Sequence, residues 1–120
     1  MTINLDGLSE AQKNKIRNLQ NLQQSYDIIN AQKNQTESLL RETEFAIEEL
    51  EKINPDDTVY KSIGGILIKS EKNKLLDEKK SLKVTLEMRI KTLDQKKTRL
   101  ENQVKTLSNS IQTDLQNKTG

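Results

Sequence analysis

The sequence contains no cysteine, no histidine and no tryptophan, and three rings, Tyr26, Phe45 and Tyr60, are its whole aromatic content. Without cysteine or histidine there is no thiol nucleophile, imidazole base, disulfide framework or ordinary zinc site. Three rings in 120 residues cannot fill the core of an ordinary globular domain of this length. No apolar run approaches the ~18 residues needed to span a bilayer, and no basic-then-apolar leader is visible. The expectation is therefore a soluble, cytoplasmic protein with no membrane partner. A net charge of +2 is too small for a dedicated nucleic-acid binder.

What remains is polar but not disordered. Leu, Ile, Val and Phe make up 31 of the 120 residues, about a quarter, whereas disordered chains hold less than roughly a fifth. Such a chain folds by burying a narrow stripe, as a coiled coil does. Gly7 and Gly120 stand near the ends, and Pro55, Gly64 and Gly65 stand near the middle. The two stretches between them are long enough for helices of roughly 65–70 Å at ~1.5 Å per residue.

The first helix is expected over 9–53. Ser9 and Gln12 have capping-box spacing, and Asn54 before Pro55 is pushed out of helical geometry. A 3-4 repeat runs through Leu19, Leu22, Tyr26, Ile29, Lys33, Thr36, Leu40, Thr43, Ile47 and Leu50. The second helix is expected over 71–117, with Leu76, Lys79, Lys83, Leu86, Ile90, Leu93, Lys97, Leu100, Val104, Leu107 and Ile111 on its stripe. A linker, 54–58, leads into a β-hairpin over 59–70, where β-branched residues flank Gly64-Gly65. That pair supplies the positive φ angles of a two-residue turn.

Folding the chain back at this turn brings Leu19 opposite Ile111, Leu22 opposite Leu107, Tyr26 opposite Val104, Ile29 opposite Leu100 and Leu40 opposite Ile90. Lys15 then faces Asp114 as an ion pair, and Glu51 faces Lys80. Glu44 with Glu87 and Glu37 with Asp94 are like pairs in the same register. Exposed charges contribute only tenths of a kcal/mol, whereas a buried Leu contributes ~1.5–3 kcal/mol, so the apolar register governs. The fold class is mainly α: an antiparallel coiled coil of two long helices joined by a β-hairpin.

No catalytic site can be assembled from these residues. Glu48, Glu49 and Glu51 lie on a solvated helix rather than in a pocket that shifts a pKa. Gly64-Gly65 lacks the G-x-x-x-x-G-K pattern of a phosphate loop. The basic run Lys96, Lys97 and Arg99 shares the span of the coiled coil instead of extending beyond it as a zipper's DNA-binding segment does. Hence the chain is read as no enzyme, with no cofactor, metal or nucleic-acid partner. An isolated hairpin is at best marginally stable and its edges invite other strands, so this end is expected to dock into a multi-subunit β body. Phe45 falls on the outer face, while Leu39, Ala46 and Leu82 widen the stripe near the hairpin. At the other end Ile16 and Leu115 flank a polar seam, and Leu5 and Leu8 continue the repeat. These are either frayed ends or a binding surface.

The whole pattern, with the hairpin Val59-Tyr60-Lys61-Ser62-Ile63-Gly64-Gly65-Ile66-Leu67-Ile68-Lys69 between two long helices, resembles the beta class of prefoldin, an archaeal and eukaryotic co-chaperone. The resemblance covers essentially the whole chain, and the Val-Tyr-Lys hairpin is its specific part. It implies a hexamer of two alpha-type and four beta-type subunits joined through β-barrels, with Val59, Tyr60, Ile63, Gly64, Gly65, Ile66, Leu67 and Ile68 at the joints. It also implies ATP-independent binding of unfolded clients at the coiled-coil tips and delivery to a group II chaperonin. Leu5, Leu8, Ile16, Leu19, Ile111 and Leu115 are the expected client contacts. The rival reading is a homodimeric structural coiled-coil adaptor.

Overall fold

The computed structural model describes residues 7–119, with side chains through residue 117. Its elements follow in the order α1 (Glu10–Lys52), β1 (Val59–Ile63), β2 (Ile66–Ser70) and α2 (Lys72–Thr119). The chain divides into two compact units. One joins the residues up to Gln32 with those from Leu93 onward, and the other is Lys33–Thr92. In each unit the helices run antiparallel, because cross-helix partners rise in number on α1 as they fall on α2.

The Lys33–Thr92 unit contains the hairpin. Residues 54–57 form a tight turn in which the Asp57 N–H donates to the Asn54 carbonyl at 3.0 Å. The Asp57 carboxylate accepts the Asn54 N–H in return, also at 3.0 Å. Pro55 supplies the fixed φ such a turn favours at its second position. Strands β1 and β2 then pair antiparallel, with Ile63 opposite Ile66, Lys61 opposite Ile68 and Tyr60 opposite Lys69. Gly64 and Gly65 have φ of 56° and 81°, the left-handed values a two-residue turn requires at both positions.

Lys72 and Lys61 tie this unit together. The Lys72 ammonium donates to the Ile53 carbonyl at 2.6 Å, just beyond the end of α1. Lys61 on β1 meets Glu78 on α2 at 2.8 Å. Leu75, Leu76 and Leu86 are buried. So are Thr36 and Thr43, where a hydroxyl replaces an apolar group on the stripe. Thr43 satisfies its hydroxyl by donating to the Leu39 carbonyl at 2.8 Å, the usual solution for threonine inside a helix.

One flanking charge finds its partner a full turn of helix from the residue placed opposite it. Glu51 meets Lys80 at 3.8 Å, as the fold-back arithmetic requires. Glu44, which the same arithmetic sets opposite Glu87, reaches Lys83 at 3.9 Å. A glutamate side chain spans the distance to the next turn, so the carboxylate finds an opposite charge without moving the backbone.

In the terminal unit, Ser9 caps α1. Its N–H donates to Gln12 Oε1 at 2.9 Å, and the Gln12 N–H donates to Ser9 Oγ at 3.1 Å, a reciprocal capping box. Lys15 bridges to Asp114 at 2.8 Å and donates to Ser110 Oγ at 2.9 Å. Tyr26 donates its hydroxyl to Glu101 at 3.3 Å, while the Lys97 ammonium lies 5.7 Å from the Tyr26 ring centroid. That half-buried lysine thus sets its ammonium over a π face. Among the described residues no buried side-chain polar atom lacks a partner.

Candidate functional site

The hairpin is the least covered part of the Lys33–Thr92 unit. Strand residues alternate between two faces. Lys61, Ile63, Ile66 and Ile68 share one face with Val59 and Ser70, and Tyr60, Ser62, Leu67 and Lys69 share the other. Lys61 directs the first face toward the start of α2, yet beyond Val59 and Ser70 that face is bare. Ile66 is 65% exposed and Leu67, on the opposite face, 68%. Tyr60, Ile63 and Ile68 are exposed as well, while Val59 is half-buried. A two-stranded sheet has both outer edges unpaired, and here both of its faces are apolar in part. Such a surface is a template for further strands.

The turn is held by backbone geometry alone. A methyl group added at Gly64 or Gly65 would meet no atom within 4 Å, so space does not demand glycine there. The positive φ does.

The Lys61–Glu78 contact orients the hairpin on its helix. The Lys61 ammonium hydrogen-bonded to it holds the Glu78 carboxyl below its ordinary range, with Lys74 and Lys79 adding to the pull. Both partners are largely solvated, so the contact positions the strand more than it stabilises the fold.

The terminal unit presents a different surface. Of the six residues expected to contact clients, Leu5 lies outside the described residues. Ile16 is only 4% exposed and Ile111 is buried too, whereas Leu8, Leu19 and Leu115 are half-buried. Leu8, Gln12, Ile16, Ile111, Asp114 and Leu115 line one narrow crevice. Ile16 lies one position off the 3-4 stripe. Near this end the stripe positions are Lys15 and Asp114, which pair with each other, and the apolar contact moves to the flank. An α-helix drifts against a strict seven-residue repeat, and at a helix end nothing forces the seam to stay in phase.

Beside Tyr26 an open groove is lined by Gln23, Asp27, Glu101, Val104 and Lys105. No cluster of acidic side chains among the described residues could hold a metal ion, and no described helix is long and apolar enough to cross a membrane.

Sequence reasoning did not find Leu75 and Ile16 as core residues. Both sit next to a stripe position, and only the pairing of two helices shows which flank closes. It placed Phe45 on the outer face, and the ring is indeed 63% exposed.

A hairpin with bare edges, set between two long antiparallel helices, is the architecture that comparison with known proteins matches. The family model described as prefoldin subunit matches residues 13–118. The chain belongs to the prefoldin subunit family. It is 37% identical to the prefoldin subunit beta of Archaeoglobus fulgidus over 108 residues, covering 90% of this chain and 93% of that one. It is 34% identical to the prefoldin subunit beta of Methanosarcina acetivorans over 83% of this chain and 86% of that one. The crystal structure of the prefoldin beta subunit from Thermococcus strain KS-1 superimposes with a TM-score of 0.82 at 28% identity, covering 92% of this chain and 97% of that one. Prefoldin subunits are chaperone subunits, so membership makes co-chaperone work the function class of this chain.

Proposed function

We propose that this chain is the beta-type subunit of a cytoplasmic, ATP-independent prefoldin, and that residues 1–120 act in it as one prefoldin-type domain. Two alpha-type and four beta-type subunits would join through β-barrels built partly from 59–70. The observation that carries this reading is the hairpin itself. Tyr60, Ile63, Ile66, Leu67 and Ile68 are exposed on a two-stranded sheet that cannot cover them alone. Burying a side chain of this size contributes ~1.5–3 kcal/mol, and the strand edges add hydrogen bonds.

Client binding belongs to the terminal unit in this reading. Leu5, Leu8, Ile16, Leu19, Ile111 and Leu115 contact unfolded proteins, which then pass to a group II chaperonin. Ile16 and Ile111 are buried, so they take part only when the crevice they line opens. Several such tips acting on one chain give avidity from weak contacts.

Native mass of the assembly recovered from its own cells tests the first half. A mixed hexamer with a second type of subunit is expected, and a homodimer alone would overturn the reading in favour of a scaffold. For the second half, Leu8→Ser with Leu115→Ser should leave that mass unchanged and weaken suppression of client aggregation. Undiminished suppression would remove the client role from this end.

A further inference from the structure

Outside the hairpin, exposed large apolar side chains crowd one zone of the Lys33–Thr92 unit. Phe45 stands on the outward face of α1, two positions past the buried Thr43. Val84 and Met88, one turn apart, stand on the outward face of α2 on either side of the buried Leu86. Neither face is covered by the other helix. Phe45 is 63% exposed and Met88 is 66% exposed.

The rims of these two apolar faces carry opposite charge. Around Phe45 lie Glu42, Glu44, Glu48 and Glu49, with Arg41 the one cation. Around Val84 and Met88 lie Lys80, Lys83, Arg89 and Lys91, with Glu87 the one anion. Glu44 and Lys83 are partly engaged with each other, and Lys80 with Glu51, at 3.8–3.9 Å. The same Glu44–Lys83 contact sets Phe45 and Val84 at one height along the unit, on different helices.

In the assembly reading above, neighbours joined at the hairpin would stand side by side with the same end up, and the shared height then matters. In that arrangement the acidic-rimmed ring of one copy lies level with the basic-rimmed Val84–Met88 pair of the next. We propose that the outward face of α1 around Phe45 docks against the outward face of α2 around Val84 and Met88 of a second copy of this chain. The proposal rests on the assembly reading above and adds a lateral contact to it. The two faces differ, so the contact is heterologous and forms where two copies of this chain are neighbours. Its chemistry is an aromatic ring against a thioether and a branched aliphatic, with guanidinium or ammonium groups available to the ring face. Opposite rims would orient the approach and weaken with salt.

The natural absence of cysteine makes the test direct. Phe45→Cys and Met88→Cys, both at exposed positions, are prepared separately in the full chain and co-assembled with the rest of the complex. The assembly is then treated with a short bismaleimide, and its native mass is measured alongside. Cross-linked pairs of this chain are expected from the mixture and from neither variant alone. Adding Glu42→Lys and Glu48→Lys to the F45C copy should lower the yield severalfold, and Arg89→Glu with Lys91→Glu in the M88C copy should restore it. An intact assembly without the mixed cross-link overturns the docking and leaves the assembly reading standing. A link from F45C alone, or to a different polypeptide, overturns the proposed occupant. A chain that remains monomeric overturns both readings together.

Discussion

Lys72 Nζ lies 2.6 Å from the Ile53 carbonyl oxygen, so the first residue of α2 reaches back to cap the end of α1. A helix C-terminus leaves carbonyls without partners and carries partial negative charge, and an ammonium answers both needs. With the Lys61–Glu78 bridge, the contact closes the chain around the linker and hairpin.

Removing that cap should be measurable. Lys72→Met keeps the aliphatic stem and loses the donor, and it should lower unfolding free energy by about 1 kcal/mol. Lys72→Arg should recover part of the loss. Chemical denaturation followed by helical circular dichroism reads the difference, and equal midpoints for all three chains would mean the cap is dispensable.

The hairpin turn separates conformational strain from crowding. At Gly65, where φ is 81° and a side chain meets nothing, Gly65→Ala should cost about 1–2 kcal/mol through φ alone. Gly65→Asn should cost less, since asparagine tolerates this region. If alanine and asparagine destabilise equally, the turn has relaxed to another geometry, and native mass would report whether assembly survives it.

Glu78 offers a pH readout. Its folded carboxyl titrates below that of an unfolded glutamate because Lys61 hydrogen-bonds to the ionised form. The contact therefore contributes fully above the ordinary glutamate range and is lost as pH falls through the depressed folded value. Carboxyl resonances followed through acid titration should place Glu78 below the ordinary glutamate value, and Lys61→Met should return it toward that value.

Ile16 and Ile111 should prove local anchors. Replacing either with alanine removes a buried side chain, at a cost of about 2–4 kcal/mol where the site cannot collapse. The loss should fall on the terminal unit alone. Amide exchange is expected to quicken up to Gln32 and from Leu93 onward while residues 33–92 keep their protection. Uniform acceleration would show instead that the two units unfold as one.

Much of this architecture was legible from local chemistry. Ser9 and Gln12 form their box from spacing alone. Pro55 forbids the helix to continue, and Gly64-Gly65 makes the turn that pairs Ile63 with Ile66. The Lys15–Asp114 and Glu51–Lys80 contacts follow once the chain is folded at that turn. Each depends on neighbours in sequence or on one register, and a sequence determines both.

Other features waited on the tertiary structure. Glu44 reaches Lys83, and Lys97 sets its ammonium over the Tyr26 ring, because long side chains select among partners a turn apart. Ile16 and Leu75 join the core from flanking positions, since the seam of two real helices wanders from an ideal repeat. The same stripe analysis treats Ile16 and Leu115 alike, yet one is buried and the other half-covered. Periodicity states which face of a helix is apolar. Only the opposing helix decides how far around that face the burial extends, and so which apolar groups, Phe45 and Met88 among them, are left for another molecule.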